Sequence, residues 1–306
     1  MKLNRRTFVR SLGQGGAAFL LMAGTKALLS GCDRRLPDSR QVSPSPQISA
    51  RGLLQPGQLA WGASPEDGAP YVFYDPTNPR QIVGFEVEIA TAIARLLGAE
   101  PVLVNSLYAQ LAVTLAANRI DLILNGWEIT PERRRLQLFS QPYYRYGQQI
   151  VVRADDARFR EYDPVSEIDL GILAGMKVGT GLGYKAQDIL QQTPRIQTVT
   201  YPESDDYLAY LENGAIDAIL LDTPIVAYNV LGKGIGGQTR PRLRPIGQPL
   251  FLDDYVIAFN AKSAKGKILR EEVNEALSLL KKDGTLRQIY ERWGLWNDDQ
   301  AQIGIV

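Results

Sequence analysis

The stretch at 120–144, IDLILNGWEITPERRRLQLFSQPYY, constrains the fold more than any other part of the chain. A short apolar run, Leu122-Ile123-Leu124, lies between the turn signals Asn118-Arg119 and Asn125-Gly126. That length between those boundaries predicts a buried strand rather than a helix. Thr130-Pro131-Glu132 then reads as a helix start, with Thr130 as the N-cap, Pro131 at the first helical position and Glu132 in the first turn. Arg133 falls in the same turn. Unpaired N–H groups at a helix N-terminus, beside a guanidinium fork, make a site for a carboxylate or phosphate. Arg133-Arg134-Arg135 reads equally well as a solvated basic face, and the stretch alone does not decide between the two.

Around it, strand and helix signals alternate. Gln58–Gly62 reads as a strand, and Ala63–Tyr71 as a turn-rich loop. Phe85–Leu97 reads as an amphipathic helix with Phe85, Ile89, Ile93 and Leu97 on one face and Gly98 closing it. A strand at Val102–Val104 and a helix at Tyr108–Asn118 follow. Later come strands at Gln148–Arg153, Met176–Thr180, Ala218–Leu221 and Phe251–Phe259. Helices are predicted at Lys185–Gln191, Leu269–Leu280 and Leu286–Trp293, with Tyr290, Trp293 and Trp296 as core. This alternation predicts an α/β fold of βαβ units with mostly parallel sheets. In open sheets of that kind ligands bind beyond the carboxyl ends of the strands, which is where Asn125–Arg133 falls. The pattern Ile120-Asp121-x-Ile123-Leu124 recurs as Ile216-Asp217-x-Ile219-Leu220, and each copy runs on to a Thr-Pro pair, Thr130-Pro131 and Thr223-Pro224. That echo predicts two similar lobes. The 250 residues after position 56 also exceed what one small core organises.

Composition removes several function classes. The chain has no histidine, which excludes Ser-His-Asp, Cys-His and zinc-histidine chemistry. Its formal net charge of +1 leaves no basic footprint for nucleic acid. No metal site or cofactor is expected. Cys32 is the sole cysteine, so no internal disulfide can form. It follows a basic segment carrying Lys2, Arg5, Arg6 and Arg10 and a small, apolar stretch ending in Leu29-Ser30-Gly31-Cys32. Residues 1–32 therefore read as an export signal with a lipobox, with cleavage before Cys32 and a lipid on its sulfur. The Arg5-Arg6 pair resembles a twin-arginine signal. Residues 33–56, rich in Pro, Ser and Arg, read as a flexible tether.

Four ordered motifs carry a family resemblance: GFEVEIATAIARLLG at 84–98, DLILNGWEITPERRRLQLFSQPYY at 121–144, GAIDAILLDTP at 214–224 and ALSLLKKDGTLRQIYERWG at 276–294. Together they resemble the family 3 periplasmic solute-binding proteins of ABC transporters, the polar amino-acid binders of the glutamine and histidine type. The resemblance covers nearly the whole chain after residue 57. It implies two lobes, 57–145 plus 255–297 and 146–254, joined by crossings near Tyr144–Gly147 and Asp254–Tyr255. It also implies a polar amino acid held between closing lobes, and delivery to a membrane permease.

The resemblance further implies roles for single residues. Arg133, with N–H groups around Thr130, would hold the ligand carboxylate, and Asp222 would receive the α-ammonium from the opposite lobe. Tyr108 would pack on the ligand side chain. Gly126 would offer its carbonyl, and the turn Gly181–Tyr184 would touch the carboxylate, with Tyr184 standing where many members have threonine. Glu128 departs from the pattern, because most members carry Ser or Thr there and a Glu repels a carboxylate unless it points elsewhere. The loop bearing Glu66 and Asp67 would reach over the ligand side chain. Up to three carboxylates around one pocket favour glutamine or a basic amino acid over an anionic one. The expectation is a lipid-anchored, extracytoplasmic binding protein without catalysis. The alternatives are an exported dehydratase-like enzyme using Glu128, Glu66 and Asp222 as an acid/base set, and a ligand-sensing module.

Overall fold

The computed structural model describes residues 48–306 except 67 and 203–205. The export signal, Cys32 and residues 33–47 of the expected tether therefore lie outside the described residues; its last stretch, 48–56, is instead docked, with Ile48 and Leu53 buried and the Arg51 and Gly52 N–H groups donating to the Glu272 carboxylate. In chain order the first elements are β1 (Gln58–Ala63), a hairpin of β2 (Phe73–Asp75) and β3 (Asn78–Val83), α1 (Phe85–Leu96), β4 (Glu100–Asn105), α2 (Leu111–Ala116), β5 (Leu122–Ile123) and β6 (Gln137–Phe139). Next come β7 (Tyr144–Arg153), β8 (Lys177–Gly181), α3 (Lys185–Gln192), β9 (Gln197–Tyr201), α4 (Tyr207–Glu212), β10 (Ala218–Asp222) and α5 (Thr223–Asn229). The chain closes with β11 (Leu243–Tyr255), β12 (Ala258–Asn260), α6 (Ala264–Lys282), α7 (Thr285–Arg292) and α8 (Asp299–Gln302).

The strands form two five-stranded sheets, ordered β4-β1-β5-β12-β6 and β11-β7-β10-β8-β9. In each sheet three adjacent strands run parallel, as βαβ units require: β4, β1 and β5 in the first, β10, β8 and β9 in the second. The other pairings are antiparallel, so the sheets are mixed rather than mostly parallel. The antiparallel strands belong to chain that passes between the halves: β7 leaves the first half, while β11 and β12 return to it. β7 and β11 run side by side, with Tyr144 opposite Tyr255 and Arg145 opposite Asp254. Arg145 Nε also pairs with the Asp254 carboxylate at 2.8 Å.

The predicted apolar face of α1 is the buried one. Phe85, Ile89, Ile93 and Leu97 all sit in the core, each contributing about 1.5–3 kcal/mol by leaving water. The internal echo has a structural counterpart. Asp121 accepts hydrogen bonds from the N–H groups of Leu54 (2.6 Å) and Ala60 (2.8 Å), and Asp217 accepts one from the Lys177 N–H (2.9 Å). In both halves an aspartate just before a central strand thus grips the backbone of the neighbouring parallel strand, β1 or β8.

Several predicted elements differ from those observed. The helix expected over 108–118 is a 3-10 turn at Tyr108–Gln110 followed by α2. The strand expected at 251–259 is split between β11 and β12. The helix start at Thr130 yields only a 3-10 turn, Arg133–Arg135, because the chain must enter β6 at Gln137.

Candidate functional site

A cleft of about 460 Å³, counted with its mouth, opens at the carboxyl ends of β1, β5 and β10. The first sheet contributes Ser64 and Glu66 after β1, and Asn125, Gly126 and Glu128 after β5. The second contributes Asp222 at the end of β10, Tyr184 after β8, and Ile225 on α5. Tyr71 and Tyr108 also line the cleft.

The loop after β5 is fixed at successive residues. Asn125 Oδ1 accepts the Ser64 N–H at 2.8 Å. The Gly126 N–H donates to Glu86 Oε1 at 2.7 Å, and the Trp127 carbonyl accepts the Val256 N–H at 2.9 Å. Gly126 has φ 55° and packs on the Tyr71 ring, where an added Cβ would lie 3.1 Å from a ring carbon. Only glycine takes that backbone conformation freely. On the other wall, Tyr184 lies over the backbone of Gly181, where a Cβ would meet the ring at 2.6 Å, which accounts for the glycine in that turn. The Tyr184 ring meets Tyr108 edge-on across the cleft, centroids 5.7 Å apart.

Asp222 is buried and held from two sides. Gln148 Nε2 donates to its Oδ1 at 2.7 Å, and the Tyr255 hydroxyl donates to its Oδ2. The Tyr255 hydroxyl in turn meets that of Tyr71 at 2.7 Å. Burial pushes the Asp222 carboxyl up to about 7, and the nearby charge of Glu128 adds to the push. The bonds from Tyr255 and Gln148 and the charge of Lys185 pull the other way. Lys185 is itself paired with Asp253.

Arg133 does not line the cleft. Its Nη1 donates to Glu128 Oε2 at 2.9 Å and to the Glu128 carbonyl at 3.0 Å. Its guanidinium lies 3.5 Å over the Trp127 ring, and Nη2 reaches the Tyr108 hydroxyl at 3.4 Å. The Tyr108 hydroxyl donates to Glu128 Oε2 at 3.0 Å. The geometry therefore departs from the expected anion pocket: Glu128, which lines the cleft, occupies Nη1 of Arg133 with its own carboxylate and carbonyl, while Nη2 turns to Tyr108. The expected helix N-terminus does not supply a replacement. Thr130 Oγ1 accepts the Arg133 N–H at 3.1 Å and the Thr130 carbonyl accepts the Arg134 N–H at 2.9 Å, so the short turn closes on itself. Thr130 acts as a cap and does not line the cleft.

Of the other residues expected here, Tyr108, Gly126, Glu128, Tyr184 and Asp222 converge on the cleft, and Glu66 stands exposed at its mouth. Asp67 lies outside the described residues. The sequence reading missed Tyr255, Tyr146, Gln148 and Glu86. Tyr146 stacks on Tyr255 with centroids 4.0 Å apart. The alternation Tyr144-x-Tyr146-x-Gln148 was the available signal, since period-two residues share one strand face.

The comparisons with known proteins agree with this architecture. The family model described as bacterial extracellular solute-binding proteins, family 3, matches residues 62–295. The L-cystine-binding protein TcyJ of Escherichia coli (strain K12) is 30% identical over 215 residues, 70% of this chain and 74% of its own. The holo structure of ArgBP from T. maritima is 30% identical, with a TM-score of 0.62 over 78% of this chain and 96% of its own. The ancestral amino acid-binding protein AncCDT-1, described as a precursor of cyclohexadienyl dehydratase, is 26% identical, with a TM-score of 0.65 over 78% of this chain and 95% of its own.

Proposed function

This chain belongs to the bacterial extracellular solute-binding proteins of family 3, and from that premise we propose that it captures a small cationic solute for an ABC importer. The solute class comprises the basic amino acids and the amines related to them, with glutamine as the neutral alternative. One observation carries the reading. Glu66, Glu128 and Asp222 converge on a cleft with no basic side chain among its described lining residues, and they follow strands of two different sheets. Neither half alone supplies all three, so a bound cation favours the arrangement in which the halves meet. That preference for one state is what a permease reads. The structure of arginine-bound ArgBP from T. maritima supports the charge of the solute. The lipobox at Leu29–Cys32 supports anchoring on the extracytoplasmic face of the membrane, beside the permease.

A second reading, a dehydratase-like enzyme on the same fold, has one observation in its favour. Asp222 is a buried carboxyl with a raised pKa, the kind of group that general acid–base chemistry uses. The binding reading accounts for the same shift, since a buried carboxylate waiting for a cation is desolvated. Calorimetry on the mature chain at fixed ionic strength tests the proposal. A cationic solute or glutamine should bind at least about tenfold more tightly than glutamate or aspartate, a difference of about 1.4 kcal/mol. Tighter binding of glutamate would refute a cation site.

A further inference from the structure

Arg133 can offer Nη1, the donor nearest Glu128, to a solute carboxylate only if Glu128 moves away. The Glu128 carboxylate sits 2.9 Å from Nη1, takes a second bond from Tyr108, and its side chain is only 3% exposed. Trp127 covers one face of the guanidinium at 3.5 Å, and the Glu128 carbonyl takes a further bond from Nη1. A carboxylate tethered five residues away is present at a high effective concentration, so a free solute carboxylate competes poorly for the fork. A solute that did displace it would leave Glu128 unpaired, beside the incoming carboxylate and near Asp222. Like charges in a partly desolvated cleft repel strongly.

Cationic groups meet the opposite situation. Asp222 faces the cleft, and Gln148 Oε1, on the amide that binds Asp222, is buried with no hydrogen-bond partner. The rings of Tyr71, Tyr108 and Tyr184 add aromatic surface against which a cation is attracted. Resting on the solute-receptor reading above, we propose that Glu128 is a built-in counter-carboxylate for Arg133 and that the solute is an amine or guanidine lacking a carboxylate, a decarboxylated basic amino acid. Glu128 is then the specificity-determining residue. It seals the carboxylate seat and turns the cleft into a cation site.

The test is calorimetry on the mature chain with arginine against agmatine and lysine against cadaverine, each pair differing only in the carboxylate. At least one amine should bind more than thirtyfold tighter than its parent amino acid. An amino acid, from these pairs or the remaining common ones, that binds as tightly as the better amine overturns the proposal while leaving the receptor reading intact. No binding by any amine or amino acid overturns both. Glu128→Ser should open the Arg133 fork and shift preference at least tenfold towards the amino acid of the pair. Glu128→Gln removes the charge with little change in volume and should shift preference in the same direction, which keeps the test valid if the serine variant does not fold. Preference unchanged in a folded variant overturns the role given to Glu128.

Discussion

Glu86 offers a stability test that reaches into the site. It lies in the first turn of α1, wholly buried, and its Oε1 accepts the Gly126 N–H and the Tyr143 hydroxyl. Its Oε2 is buried with no hydrogen-bond partner. Burial raises the carboxyl from 4.5 to about 8, against the pull of Tyr143 and Gly126. The unfolded chain therefore loses this proton first, while the folded chain keeps it until about pH 8. The stabilising contribution is complete below about pH 4.5, falls as pH rises, and is gone above pH 8. At about 1.4 kcal/mol per pH unit, the loss between pH 5 and pH 8 is on the order of 3 kcal/mol. Glu86→Gln keeps the acceptor for Gly126 and Tyr143 and does not titrate. Urea unfolding of both proteins at pH 5 and pH 8 gives a double difference in which the other titrating groups cancel. The wild type should lose about 3 kcal/mol more than the variant over that range. Equal losses within about 1 kcal/mol would refute a protonated Glu86 in the fold.

Three further outcomes are expected. Because Asp222 titrates near 7 and a cation needs it ionised, affinity should rise with pH between about 6 and 8, with proton release in calorimetry. Asp222→Asn should flatten that profile and weaken binding at least tenfold, and a profile that persists in the variant would place the titrating group elsewhere. Cys32→Ala should abolish incorporation of a tagged fatty acid, and equal labelling of variant and wild type would remove the anchor. The bound solute should be recovered chemically intact after long incubation, whereas a product that scales with protein in the mass spectrum would establish the dehydratase-like reading.

The parts of the fold that were legible in the sequence are those set by local patterning. The buried face of α1 follows from four apolar residues at helical spacing, and the paired roles of Asp121 and Asp217 follow from a repeated strand entry. The two halves of the site were less equal. Asp222 could be placed because a strand end and a Thr-Pro helix start fix it locally. Arg133 is presented differently from the expectation, because the helix expected to present it never forms. Pro131 and Glu132 belong to a turn too short to be a helix, and a 3-10 turn brings Arg133 back onto Glu128. The tyrosine network was invisible for a different reason. Tyr71, Tyr146 and Tyr255 are far apart in sequence, and only the pairing of β7 with β11 brings two of them together.

That pairing has a mechanical consequence for capture. Tyr255 stands at the end of β11, opposite Tyr144, on one of the two strands that pass between the sheets. Its hydroxyl donates to Asp222, on the second sheet, and meets the hydroxyl of Tyr71, in the loop after β1 of the first. One side chain on a crossing strand therefore touches both walls of the cleft. A bound cation holds Asp222 in its ionised form, and the Tyr255 bond is stronger to that form, because hydrogen bonds to a charged acceptor are about twice as strong as neutral ones. The Tyr71 contact shares the same hydroxyl, so the change is felt on the first wall as well. Relative motion of the sheets has to carry this three-member chain along or break it. The Tyr255 hydroxyl thus links the Asp222 carboxylate, a crossing strand and the Tyr71 loop in one buried chain of contacts.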